Sequence, residues 1–420
     1  MSRSSLRVIA GLTAIGLLAA ACGSSSSTSS TSTTVKATGS PIVVGQINPM
    51  TGANLALPEV GSSLLASVNA LNNAGGINGH PLKLIQCDTK GDAATEVQCA
   101  QNMVNDHVVA TLSDNTFSAS AQVNQILAGI PRIGVTMFDV SDYSNTTNFD
   151  LTGGGVFSLV GMMDGLINKG YKKLTVVVPD TPTSSQTHLL LDPVAKAQGV
   201  EVVNYVMVSS ASGDYSQYVA QAQQNGSQAV AIALGNAQLV QFAQAINQLN
   251  PNIAYATGIA GFSLNQLKQL GQFSKKCLFT WWTPGIDDVK NFPGMAQPLS
   301  VLTHGVKGAT VNNLTALSLS GWLSVHALSE VLKSETGTPT AASLLAALKA
   351  AKNIPMNGIL KPWTPTNYAS AGPLSSVFKN VSNPYQYLIT YNGTNTSTNN
   401  SSAMFNVTQG LNPTTTTTAK

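Results

Sequence analysis

From Ile42 onward, short apolar and β-branched runs alternate with segments whose apolar positions recur every three or four residues. That alternation predicts βαβ units and a parallel sheet. Ile42–Ile47 reads as the first strand, and Val60, Leu64, Val68 and Leu71 then line one face of a helix. The helix should stop at Gly75-Gly76, where a left-handed backbone costs least. Leu82–Cys87 predicts a second strand, and Ala93, Val97, Ala100 and Val104 stripe a second helix before a strand over Val108–Leu112. A helix over Phe117–Ala128 and a strand over Arg132–Thr136 complete four strands and three helices, one doubly wound half.

After Gly153-Gly154-Gly155 the rhythm restarts, with a helix to Lys169, a strand over Lys173–Val178, a helix over Ser185–Gln198 and a strand over Glu201–Met207. A helix over Tyr215–Gln223, a strand over Gln228–Ala233 and a helix striped by Leu239, Phe242, Ile246 and Leu249 follow. Strands at Ile253–Tyr255 and Cys277–Thr280 come next, then long helices over Thr310–Lys333 and Thr340–Ala351 and a last strand at Tyr385–Tyr391. Helices this late, without strands of their own, suggest a return to the first half. The expected fold is α/β, with two similar doubly wound parallel-sheet lobes.

The ends break the pattern. Arg3 and Arg7 precede an apolar run from Val8 to Ala21 that is too short to span a bilayer comfortably, so residues 1–21 read as a signal peptide. Cys22, directly after Leu18-Ala19-Ala20-Ala21, is similar to the lipidated cysteine of bacterial lipoproteins, whose two acyl chains anchor stably. Residues 22–40 are dominated by Ser and Thr and should form a disordered tether, and residues 393–420, which include five consecutive threonines, are expected to be a disordered tail.

Only 9% of the residues are charged, a surface style typical of exported proteins. Without Arg3 and Arg7 the balance is 19 basic against 18 acidic residues, which leaves no nucleic-acid footprint. The five histidines lack metal-ligand spacing, and no nucleophile elbow, Walker loop or His-Glu-x-x-His motif occurs. No enzyme, no metal and no cofactor is therefore expected. Cys87 ends a strand and Cys99 lies on the helix returning over it, so a disulfide is expected in an oxidising compartment, with two reduced core thiols as the alternative. Cys277 is left as a buried free thiol.

Ile42–Gly45, Thr51-Gly52, Asn69–Leu71 and the run Ala74-Gly75-Gly76-Ile77-Asn78-Gly79-His80-Pro81-Leu82, followed by the Asp88–Asp92 turn, resemble the opening of the leucine/isoleucine/valine-binding protein family. These are type I periplasmic binding proteins that serve ABC transporters. The resemblance implies two lobes joined by a three-crossover hinge. The lobes are placed at residues 41–152 with 283–364, and 153–282 with 365–392. It further implies an interlobe cleft for one small ligand, with the loop of Asn115, Thr116 and Ser118 holding the ligand's carboxylate through hydroxyls and backbone amides, and Met137, Phe138 and Asp139 on the next loop.

In the second lobe the corresponding positions are Thr183, Asn236 and Phe262. Family members that bind amino acids often carry an aromatic ring near the first position and an acid on the last loop; this sequence has Thr183 and Ala260 there. A buried ammonium without a counter-charge costs several kcal/mol, so the sequence leaves the ligand open among branched-chain amino acids, amides and related compounds. The implied partners are the small molecule, the permease subunits of an ABC transporter, and the outer face of the bacterial cytoplasmic membrane through the lipid alone, with the protein a monomer. A sensor subunit of the same fold, or an α/β enzyme, are the alternatives.

Overall fold

The computed structural model describes residues 37–52, 56–180, 184–209, 211–369, 374–398 and 405–406. The first sheet is wholly parallel and contains β1 (Ile42–Asn48), β2 (Leu82–Asp88), β3 (Ala110–Leu112), β4 (Arg132–Ile133) and β5 (Asn148–Phe149) in the order β2-β1-β3-β4-β5. β5 adds a fifth strand to the four expected. Two residues carry no periodicity, and the strand exists because Asn148 and Phe149 pair with Arg132 and Ile133. The strand expected to reach Thr136 stops earlier because Gly134 leaves the ladder at φ 69°.

Helices α1 (Pro58–Asn73), α2 (Ala93–Asn105) and α3 (Ser120–Ile126) connect these strands. Pro58 opens α1 at a position whose N–H would have no partner, and Asp92 caps α2 by accepting the Thr95 amide at 2.8 Å. Val60, Leu64 and Val68 of α1 are buried, each contributing about 1.5–3 kcal/mol by leaving water. The chain then turns at Gly76, where φ is 71° and a Cβ would stand 2.1 Å from the His80 carbonyl oxygen, so only glycine fits. Cys87 and Cys99 are joined by a disulfide that fastens α2 to β2, with Cα atoms 5.6 Å apart; closing so short a loop contributes about 3 kcal/mol. Cys277 is a buried free thiol.

The second sheet contains β6 (Lys173–Pro179), β7 (Glu201–Val208), β8 (Ala229–Ile232), β9 (Ala254–Gly258), β10 (Leu278–Trp281), β11 (Tyr385–Tyr391) and β12 (Thr396–Thr398), ordered β12-β11-β10-β9-β8-β6-β7, with β13 (Phe405–Asn406) beside β11. β6 to β10 are parallel, and β11 is antiparallel to β10. Helices α4 (Gly154–Ile167), α5 (Thr187–Ala197), α6 (Ser216–Ala222), α7 (Asn236–Leu249), α8 (Leu264–Gln269) and α9 (Gln272–Lys276) accompany it. β12 and β13 fall inside the stretch expected to be a disordered tail. The correction has a physical cause: Asp287 and Asp288 accept the amides of Thr396 and Thr398, which buries both threonines on the sheet edge.

Three further helices, α10 (Ala296–Gly305), α11 (Leu319–Leu332) and α12 (Ala341–Ala350), precede β11, and α10 and α11 pack on α1 of the first sheet. α11 is shorter than the helix expected from Thr310. Residues 311–313 instead form a turn and Ala316–Ser318 a short 3-10 helix, and Leu317 N donates to Ala260 O at 3.1 Å on the loop after β9.

The chain thus passes between the sheets three times, after β5, after β10 and after α12. The first and third passages are laced together around Asp150. Its carboxylate accepts Gly153 N at 3.1 Å, and Ser382 N at 3.1 Å and Oγ at 3.0 Å, while Trp363 Nε1 donates to Ser382 Oγ at 2.9 Å. Asn383 Nδ2 donates to Leu151 O at 2.6 Å. The second passage closes on the same point, since a Cβ on Gly153 would lie 3.1 Å from Trp282 Nε1.

Complete burial pushes the Asp150 carboxyl up to about 6, against the opposing pull of the Ser382 and Gly153 donors. A raised carboxyl binds its proton more tightly folded than unfolded. Its stabilising contribution is therefore complete below about pH 4 and lost as pH rises through 6. Urea titrations of the wild type and Asp150→Asn from pH 4 to 7 should show the wild type losing, relative to the variant, on the order of 2–3 kcal/mol across that window. A pH-independent difference would refute the assignment.

Candidate functional site

Ligands on open parallel sheets sit beyond the carboxyl ends of the strands, where loops expose backbone amides. In the first sheet these are the loops after β3 and β4, and both rest on one buried cation. Arg132, at the start of β4, is fully buried and donates through Nε to Asp114 Oδ2 at 2.9 Å, through one terminal nitrogen to Asn124 Oδ1 at 2.7 Å, and through the other to Thr116 Oγ1 at 3.2 Å. Asp142 lies 3.8 Å away.

Each acid passes the constraint onward. Asp114 accepts Ile47 N at 2.9 Å, and Asp142 accepts Phe138 N at 3.1 Å and Asp139 N at 3.0 Å. Burial raises the Asp114 carboxyl above its ordinary range, with the Arg132 charge opposing the shift.

The expected site residues separate on this framework. Asn115 is buried, forms an isolated bridge with Thr136 beyond the end of β4, and its Nδ2 donates to Asn48 Oδ1 at 3.0 Å. Thr116 is buried, with Oγ1 shared between Arg132 and Ser120. Ser118 is exposed, but its Oγ donates to Gly91 O at 3.0 Å and its amide to Glu96. Met137 turns into the core while its carbonyl accepts Gly155 N at 2.8 Å. Phe138 and Asp139 face solvent, and Asp139 Oδ1 accepts Ser141 N at 2.8 Å, closing a local turn. The side chains of Asn115, Thr116 and Met137 are thus turned into the protein.

In the second sheet Asn236 is exposed at the start of α7, its Nδ2 donating to Gly261 O at 2.9 Å. Phe262 is a core residue against Phe279, because its loop tucks back through Phe262 N to Ile259 O. Thr183 and Cys22 lie outside the described residues. Arg132, Asp142 and Glu96 were not anticipated. A readable signal existed for Arg132, a charged residue inside an otherwise apolar strand ten residues before an acid. Glu96 looks like an ordinary first-turn helix acid, and only the packing of α2 against α3 makes it an acceptor for the loop after β3.

Arg132→Met would strip Asp114 and Asp142 of their buried counter-charge. Equilibrium urea unfolding is expected to show a loss of about 3–5 kcal/mol, and a loss below 1 kcal/mol would show that the loops do not depend on the cation.

Residues 41–376 match the family model described as periplasmic binding protein. No curated protein matches the chain in sequence. Among solved structures, a possible leucine/isoleucine/valine-binding protein from Rhodopirellula baltica SH 1 is similar at 15% identity and TM-score 0.71, covering 89% of this chain and 100% of its own. A fatty acid ABC transporter substrate-binding protein from Thermomonospora curvata is similar at 13% identity and TM-score 0.72, covering 88% and 94%. An ABC transporter solute binding protein from R. palustris, in complex with 4-hydroxybenzoate, is similar at 17% identity and TM-score 0.68, covering 85% and 95%. The family model spans most of the chain and the two sheets carry the fold of these structures, so the chain belongs to the periplasmic binding protein family, with the type I fold of the leucine/isoleucine/valine-binding proteins.

Proposed function

We propose that the mature protein is a solute receptor held outside the cytoplasmic membrane by lipid on Cys22, which takes one small molecule between its lobes and delivers it to the permease of an ABC transporter. The supporting observation is the three-stranded neck. Two α/β sheets are joined by three chain passages that meet at Asp150, Ser382 and Trp282. Two lobes joined by three chain segments can bend toward each other about those segments. A ligand that touches both lobes favours the bent state by the difference in its affinity for the two states. Family members are binding proteins, and the similar structures are named for amino acid, fatty acid and aromatic acid ligands.

Calorimetry with whatever solute co-purifies, paired with small-angle scattering, tests the mechanism. The radius of gyration is expected to fall on saturation, and tight binding with an unchanged radius would refute lobe closure. The anchor is tested separately by fractionating cells. Wild-type protein is expected with the membranes and Cys22→Ala in the soluble fraction, whereas equal membrane retention of both would refute lipidation.

A further inference from the structure

Among the described residues, the donors expected for a ligand's carboxylate on the loop after β3 are already engaged by the protein. The amides of Phe117, Ser118 and Ala119 converge on the two oxygens of Glu96 at 2.7–3.2 Å, and Glu96 is fully buried. The side chains of Asn115, Thr116 and Ser118 are bonded to Asn48, Arg132 and Gly91. The Gly155 amide of α4 is taken as well, by Met137 O.

The loop after β4 turns two apolar side chains to solvent, on either side of Asp139. Phe138 is 36% exposed and Val140 51% exposed. The Phe138 ring centroid lies 4.4 Å from that of Phe117. From the other side Gly155 approaches so closely that a Cβ there would stand 2.6 Å from Phe138 Cδ1. A ring held from both sides loses little freedom when a ligand covers it, which favours binding. The charge exposed between Phe138 and Val140 is the Asp139 carboxylate, which disfavours an anion beside them.

Resting on the receptor reading above, we propose that the first lobe holds its ligand by an apolar or aromatic group seated on Phe117, Phe138 and Val140, and that Glu96 is the specificity-determining residue that denies this lobe a carboxylate grip. Glu96 acts through the loop, by filling the amides that a ligand carboxylate would otherwise use. Ligands are then ranked by their apolar body, and an uncharged amide serves as well as the matching acid.

Calorimetry on the mature protein with phenylacetamide, phenylacetate, 4-methylpentanamide, 4-methylpentanoate and acetamide decides the matter. The two larger amides are expected to bind within threefold of, or more tightly than, their acids, and acetamide at least tenfold more weakly. Phe138→Ala is expected to weaken the larger amides tenfold or more. Val140→Ser, an exposed change that spares the fold, should weaken them about threefold. Acids that bind tenfold more tightly than their amides would overturn the proposal, as would affinities indifferent to both variants or silence from every apolar probe. The receptor reading is judged apart, by scattering with the co-purified solute, so a protein that compacts yet ignores Phe138→Ala refutes this inference alone.

Discussion

One guanidinium, sealed beneath the strand ends of the first sheet, fixes the geometry on which the site is built. Arg132 reaches Asp114, Thr116 and Asn124 directly and lies beside Asp142, and those groups hold the end of β1 and the loops after β3 and β4. Charges removed from water are costly, and the arrangement persists because nearly every hydrogen-bonding position is matched. The two loops therefore stand as one rigid unit, as binding without a large ordering cost requires.

Rigidity inside the lobes meets a different design between them. The three passages of the neck are bound by directed hydrogen bonds at Asp150, Ser382 and Asn383, and buried apolar side chains from both sheets pack into shared clusters around them. Directed bonds at a single point can act as a pivot, since they keep the strands of the neck together while the lobes on either side retain separate helices and sheets. Trp282, packed against Gly153, brings the second passage to the same point.

Glu96 shows how one interior side chain can occupy the amides of a strand-end loop. Its carboxylate accepts three successive amides. That satisfies the backbone from within and leaves the aromatic surface of Phe117 and Phe138 as the lobe's offering to solvent.

Much of this protein was legible before any coordinates. The spacing of Val60, Leu64 and Val68, the breaks at Gly75-Gly76 and Gly153-Gly154-Gly155, and the positions of Cys87 and Cys99 specify helices, turns and a disulfide because they depend on local periodicity and backbone freedom. The loops after β3 and β4 could be named as candidates because strand ends follow from strand order.

Tertiary contacts alone decided the rest. β5 and β12 are too short to carry a pattern and exist through their partners. Thr116 and Met137 have side chains capable of touching a ligand, yet both point inward because Arg132 and the core claim them. Whether a donor faces a guest or a neighbour depends on residues dozens of positions away, as with Glu96 and Ala119 or Asp150 and Ser382. Linear spacing records which residues can form an element, whereas the direction of a hydrogen bond is settled only when elements distant in the chain are brought together.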